Sequence, residues 1–91
     1  MMGPAAYASV TGDGLVRAGS GQLVSVLLAA DGAIATIVLY DNTAASGTII
    51  AKLKTADGST VQFSPSVPIA CNLGIYADIT GTGATAIVAY L

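Results

Sequence analysis

The sequence predicts an all-β domain, an antiparallel β-sandwich or jelly roll of about eight short strands. Turn residues recur at short, even intervals, from Gly12-Asp13-Gly14 to Gly81-Thr82-Gly83. The runs between these turns are rich in Val, Ile, Leu, Thr and Tyr and have the length of strands. No window combines an apolar stripe at helical spacing with capping residues. These three observations favour β-structure throughout.

The predicted domain occupies residues 14–91, and residues 1–13 are predicted to form an N-terminal arm. The arm lacks the basic region and the apolar region of a signal peptide, so we expect no Sec-dependent export. The first predicted strand covers residues 14–18. It lies between two glycine-rich segments whose residues tolerate the positive φ angles of tight turns.

The next two predicted strands, 21–30 and 33–41, are the most apolar part of the chain. Asp31-Gly32 separates them and is a strong hairpin signal. This turn also makes the region too interrupted for a membrane-spanning helix, which needs about 20 apolar residues. Both strands are apolar on both faces, so we expect central strands that protein covers on each side.

The fourth run of the pattern, 47–55, follows Ser46-Gly47 and alternates between apolar and charged residues. Such alternation is typical of a strand with one buried and one exposed face. The predicted faces carry Ile49, Ala51 and Leu53 on one side and Ile50, Lys52 and Lys54 on the other.

Four further strands are predicted at 59–64, 67–71, 74–80 and 84–91. In 74–80 the alternation predicts Ile75 and Ile79 on the buried face, and the double-sided apolarity of 33–41 adds Ile37 and Leu39 to the expected core or interface. The last run is apolar to its end, and such a strand would promote aggregation at an exposed edge. We expect it to lie centrally in a sheet or under another subunit.

The composition predicts association with other copies of the chain. Only 9% of the 91 residues are charged and 54% are hydrophobic, which is more apolar surface than one small domain can bury. We therefore expect a homo-oligomer. Five acidic and three basic residues leave a net charge of −2, so we expect no nucleic-acid partner, which would need a basic patch, and no membrane partner.

The side chains do not predict an enzyme. The chain has no His and one Cys, so a nucleophile would lack an obvious general base and no intrachain disulfide can form. We expect Cys71 to be a buried small apolar residue. Asp13, Asp31 and Asp57 each precede Gly, as in tight turns, which favours turns over a calcium site. No catalytic, cofactor-binding or metal-binding residue is predicted, and no cofactor.

Three segments carry a resemblance to a known group of proteins. A strand ending in Tyr40-Asp41-Asn42 leads to the Ser46-Gly47 turn, Asn72-Leu73-Gly74-Ile75-Tyr76 precedes the Thr80-Gly81 turn, and Ala86-Ile87-Val88-Ala89-Tyr90 closes the chain. This pattern resembles small β-sandwich virion structural proteins of tailed bacteriophages, of the capsid decoration or head-fibre type. The resemblance implies a structural module of the virion, assembled in the host cytoplasm, often as a symmetric oligomer such as a trimer.

The sequence therefore favours a non-enzymatic virion protein, most simply a capsid decoration or head-fibre module. An alternative is a tail or receptor-binding module whose loops contact a host surface ligand, and exposed aromatic residues at one end of the sandwich would favour it. A third alternative is a cellular β-sandwich protein unrelated to viruses.

Overall fold

The computed structural model describes residues 6–91, and all regular structure in this range is β-strand. No helix within it is long and apolar enough to cross a membrane. The nine strands are β1 (Ala6–Val10), β2 (Gly14–Ala18), β3 (Gly21–Ala29), β4 (Ala35–Asp41), β5 (Thr48–Thr55), β6 (Thr60–Phe63), β7 (Ile69–Cys71), β8 (Gly74–Thr80) and β9 (Thr85–Tyr90).

The strands form two antiparallel sheets packed face to face, which confirms the predicted sandwich. The five-stranded sheet has the order β1-β9-β3-β6, and β7 pairs with β3 beside β6. The four-stranded sheet has the order β2-β8-β4-β5. The Asp31-Gly32 turn therefore links β3 and β4 across the two sheets, rather than joining them as a hairpin in one sheet.

Eight strands lie where the sequence predicts them, and a ninth lies within the predicted arm. Residues 6–10 form β1, which pairs with β9 in unbroken register from Ala6 opposite Tyr90 to Val10 opposite Ala86. The side chain of Val10 is buried in the core. Residues 1–5 of the predicted arm lie outside the described residues. The Ala-Tyr-Ala-Ser-Val run has little apolar alternation, so β1 depends on the edge of β9 for its partner.

The core lies between the two inner faces. Its largest fully buried side chains belong to Leu23, Leu28, Ile37, Leu39, Ile75, Val26, Val88 and Cys71. Ile79 is half-buried and packs against them. The predicted core positions are thus confirmed, because alternation in β4 and β8 points every second side chain at the opposite sheet.

The predicted faces of β5 are wrong at Ile49 and Ile50. Ile49 is 52% exposed, whereas Ile50 packs against the core. The register explains the exchange, because Leu39 pairs with Ala51 but the next residue, Tyr40, pairs with Ile49. Ile50 is the extra residue of a β-bulge, and a bulge reverses the side on which the preceding side chains lie.

The expectation that protein covers β3 and β4 on both faces is not met within this chain. Inward side chains such as Leu28 and Leu39 are fully buried, but the outward Leu27 and Val38 are only half-buried. No second layer from residues 6–91 lies over either outer face. The two outer faces are consequently large open surfaces.

Candidate interaction surfaces

The candidate sites of this chain are open surfaces. Residues 6–91 enclose no pocket and contain no group of three or more His, Cys, Asp or Glu placed to hold a metal ion. The two outer sheet faces differ sharply in charge, and the strand ends at one end of the sandwich carry most of the aromatic residues.

The outer face of the five-stranded sheet has no charged side chain; we call it the uncharged face. None of its five strands contains Asp, Glu, Lys or Arg. The chain's charges lie in the four-stranded sheet, at Arg17, Asp41, Lys52, Lys54 and Asp78, or in the loops, at Asp13, Asp31 and Asp57. The fold therefore separates an uncharged outer face from an outer face that carries charged side chains.

The uncharged face exposes apolar side chains among small polar ones. Ile87 is 44% exposed at its centre, and its cross-strand neighbours are Ser9 on β1 and Leu27 on β3. Tyr7, which is 73% exposed, lies near one corner. Covering such a face requires little polar desolvation, which is the property of the apolar centre of stable protein interfaces.

The edge formed by β1 adds to this surface. Edge strands are usually protected by Lys, Pro or a bulge. Here β5 carries Lys52 and Lys54, and β2 has a register shift between Leu15 and Arg17. By contrast β1 has none of these features over residues 6–10. The five-stranded sheet can therefore accept a partner strand at this edge.

The outer face of the four-stranded sheet carries a row of large side chains that crosses all four strands. Leu15 on β2 pairs with Tyr76 on β8, Tyr76 pairs with Tyr40 on β4, and Tyr40 pairs with Ile49 on β5. Leu15 is 48% exposed, and both tyrosines are half-buried. We call these four residues the tyrosine row.

The next row on this face has acidic and basic groups on opposite sides. Asp78 pairs with Val38, and Val38 pairs with Lys52. Asp13 lies beside Asp78 and accepts a hydrogen bond of 2.8 Å from the Ile79 amide. Partial burial raises the pKa of the Asp78 carboxyl, and the charge and hydrogen bond of Asp13 raise it further. Two carboxyl groups thus lie at the β2 side and a lysine at the β5 side.

Asp41 fixes a loop at the end of the sandwich. Its carboxylate accepts hydrogen bonds from the amides of Asn72, at 2.9 and 3.1 Å, and of Leu73, at 2.9 Å. The Leu73 amide, followed by the Asn72 amide, lowers the pKa of Asp41 below its ordinary value of 3.8. The loop between β7 and β8, with its exposed Leu73, is therefore held rigidly beside the end of β4.

All four tyrosines lie at this same end, which we call the tyrosine end. Tyr40 and Tyr76 are near the end of β4 and the start of β8, and Tyr7 and Tyr90 are near the start of β1 and the end of β9. The antiparallel registers bring these strand ends together beside the 42–47 and 72–73 loops. The opposite end, with the 30–34 and 56–59 loops, has no aromatic residue.

Cys71 is buried, as predicted, and does not form a reactive site. Its side chain is 2% exposed, and burial and the nearby Asp41 charge raise the pKa of the thiol. A thiol with a raised pKa is ionised to only a small extent at neutral pH, and the thiolate is the form that reacts.

Comparison with protein-family models, curated proteins and solved structures finds no match to this chain. The sequence alone predicts no site residue and neither outer face. Uncharged runs are visible in the sequence, but the segregation appears only once the topology assigns each run to a sheet.

Proposed function

We propose that this protein is a non-enzymatic structural protein of a tailed-bacteriophage virion, most specifically a capsid decoration or head-fibre module. It acts by rigid association as a symmetric homo-oligomer, for which the resemblance implies a trimer. The uncharged face is the observation that carries the proposal. Five strands without a charged side chain offer the particle or a neighbouring subunit a surface from which water is removed at little cost in free energy.

The remaining features are compatible with a role in assembly. The β1 edge extends the uncharged face and offers backbone hydrogen bonds to a partner strand. The hydrogen bonds from the Asn72 and Leu73 amides to Asp41 hold the adjoining loop in place before any partner binds, which reduces the conformational entropy lost on binding. The apolar composition gives independent support, since obligate interfaces are more hydrophobic than transient ones.

Binding to undecorated capsid shells tests the proposal. Purified protein is expected to saturate discrete symmetric sites, seen by cryo-electron microscopy, and to raise the temperature at which the shells open, because it binds only the assembled state. Ile87→Lys is expected to abolish binding, since it places a charge at the centre of the uncharged face. Ser66→Lys adds the same charge in an exposed loop and is the control.

The proposal would be rejected if the shells bind neither wild type nor Ser66→Lys, or if they bind Ile87→Lys as tightly as wild type. Genes for portal, capsid or terminase proteins beside this one would support the virion setting without assigning a position in the particle.

The tyrosine end favours a second candidate, a tail or receptor-binding module that contacts a host ligand. Tyrosine supplies a flat apolar ring and a hydroxyl group, and clustered tyrosines are common in binding surfaces. Density at the tail tip alone, with binding to host cells that Tyr7→Ala weakens, would support this candidate over the first. Tyr7 is the suitable position because it is the most exposed tyrosine.

A further inference from the structure

We propose that the outer face of the four-stranded sheet binds the same face of a second copy of this chain, about a two-fold axis parallel to the strands. This surface is opposite the uncharged face, and the inference does not depend on a virion role. Its basis is the pattern of side chains across the four strands, which is complementary to itself.

The symmetry follows from the geometry of two facing sheets. A two-fold axis that exchanges them must lie in the plane between them. An axis parallel to the strands leaves each row opposite itself but reverses the strand order, so that β2 faces β5 and β8 faces β4. An isologous contact of this kind uses one surface patch twice.

This operation matches the tyrosine row with itself. Tyr40 of one copy lies over Tyr76 of the other, and Leu15 lies over Ile49. The result is a continuous apolar strip in which aromatic rings contact aromatic rings. Leu15 and Ile49, which are 48% and 52% exposed in the single chain, become covered. Aromatic and aliphatic side chains at the centre of an interface supply most of its binding free energy.

The row of Asp13, Asp78, Val38 and Lys52, which we call the charged row, favours this axis over an in-plane axis perpendicular to the strands. Parallel to the strands, the axis places Lys52 of each copy opposite Asp13 of the other, beside Asp78. An axis perpendicular to the strands would place β5 over β5 and β2 over β2, so Lys52 could not meet Asp13, and where it crossed the charged row it would place lysine against lysine and carboxylate against carboxylate. Juxtaposed like charges disfavour that arrangement.

The size of the face sets the strength of the contact. Four strands about 4.8 Å apart and seven residues long at about 3.3 Å per residue span roughly 19 by 23 Å. About 400–450 Å² per partner is at the low end for specific interfaces, so we expect dissociation constants in the micromolar range. The pairing should be visible as a mass that changes with concentration.

Sedimentation velocity between about 1 and 500 μM is the first test. We expect an even number of subunits, two or six, since a lone trimer cannot contain this contact but two trimers can meet through it. Lys52→Glu is expected to weaken pairing about tenfold, because the exposed side chain opposes Asp13 at two symmetric positions. Ser66→Glu, at an exposed loop position outside both sheets, is the control that leaves pairing unchanged.

A double-mutant cycle shows whether Lys52 and Asp13 meet across copies. Within one chain they lie on opposite sides of the sheet, about 14 Å apart, so effects on stability should be additive. Asp13→Asn keeps an oxygen acceptor for the Ile79 amide but removes the charge. In that background Lys52→Glu should weaken pairing by less than about threefold. A tenfold loss in both backgrounds contradicts the proposed contact.

Cysteine cross-linking determines the axis. A mixture of Leu15→Cys and Ile49→Cys chains should form a heterodimer when treated with a bismaleimide of about 8–10 Å span, because these positions face each other across sheets about 10 Å apart. Ile49→Cys alone should not cross-link, since two copies of it lie at opposite sides of the pair. The native Cys71 is buried and does not interfere. Self-cross-linking of Ile49→Cys, or a trimer that Lys52→Glu does not change, would overturn the inference while leaving capsid binding through the uncharged face untouched. A strictly monomeric protein would overturn both this inference and the proposed homo-oligomer.

Discussion

Replacing Ile75 by alanine tests how the sandwich is packed. Ile75 lies on β8, the second strand of the four-stranded sheet, and its side chain is 0% exposed. The substitution removes three carbon atoms, each worth about 0.8 kcal/mol in transfer free energy, and leaves a cavity that adds to the loss. We expect the free energy of unfolding to fall by about 3–4 kcal/mol. A domain of this size has roughly 5–14 kcal/mol in total.

Ile49→Ala is the matched control, because it deletes the same atoms from the same sheet. Ile49 is 52% exposed, and no cavity forms when its side chain is truncated at the surface. We expect a loss of about 1 kcal/mol or less. The comparison also tests the β5 bulge, because simple alternation from Ala51 would put Ile49 in the core and predict similar losses for the two variants.

The measurement is urea unfolding followed by circular dichroism, with all proteins at one low concentration because pairing would add to apparent stability. In thermal melts, Ile75→Ala is expected to lower Tm by roughly 12–32 °C and Ile49→Ala by less than about 8 °C. Equal losses for the two variants, or a larger loss for Ile49→Ala, would refute the assignment of inward and outward faces.

Three further predictions concern the loops and the thiol. Asp41→Asn is expected to lower Tm at pH 7. Because folding lowers the pKa of Asp41 below 3.8, the carboxylate stabilises the fold above that value and loses this effect as pH falls through the folded pKa. The difference in Tm between the variant and wild type should therefore disappear on acidification, and a constant difference would contradict the amide contacts. Gly83→Ala should prevent folding or lower the free energy of unfolding by several kcal/mol, because a Cβ atom there collides with the Asp31 carbonyl oxygen. Gly58→Ala, at a similar φ of +78° but with no atom within 4 Å of the added Cβ, should lower it by only about 1–2 kcal/mol. Equal melting temperatures for the two variants would contradict the close approach of the two loops. Cys71 should react with a thiol reagent only on unfolding, and rapid labelling of the native protein would contradict its burial.

The positions of the strands were accessible from the sequence because they depend on local chemistry. Turn residues tolerate positive φ and β-branched residues fill pleated surfaces, so the interval between Gly47 and Gly58 had to hold one strand. The core positions Ile37 and Leu39 followed from the two-residue period of a strand. These are properties of a residue and its neighbours in the chain.

Local chemistry failed where a distant strand supplied the reason. β1 exists because β9 offers an edge to residues 6–10, and nothing in that run requires a strand. The bulge at Ile50 is a mismatch in length between β4 and β5, so it is not a property of either strand alone. Alternation therefore put Ile49 on the wrong face.

The surfaces were beyond the sequence for the same reason. That 84–91 and 21–30 lack charge can be read directly, but only the order of strands makes them neighbours on one uncharged face. Likewise Leu15, Tyr40, Ile49 and Tyr76 are scattered along the chain, and the antiparallel registers align them in one row. Composition alone indicated that this chain exposes apolar surface. Only the tertiary structure decided where that surface lies, because pairing between strands far apart in sequence is set by the packing of the whole sandwich.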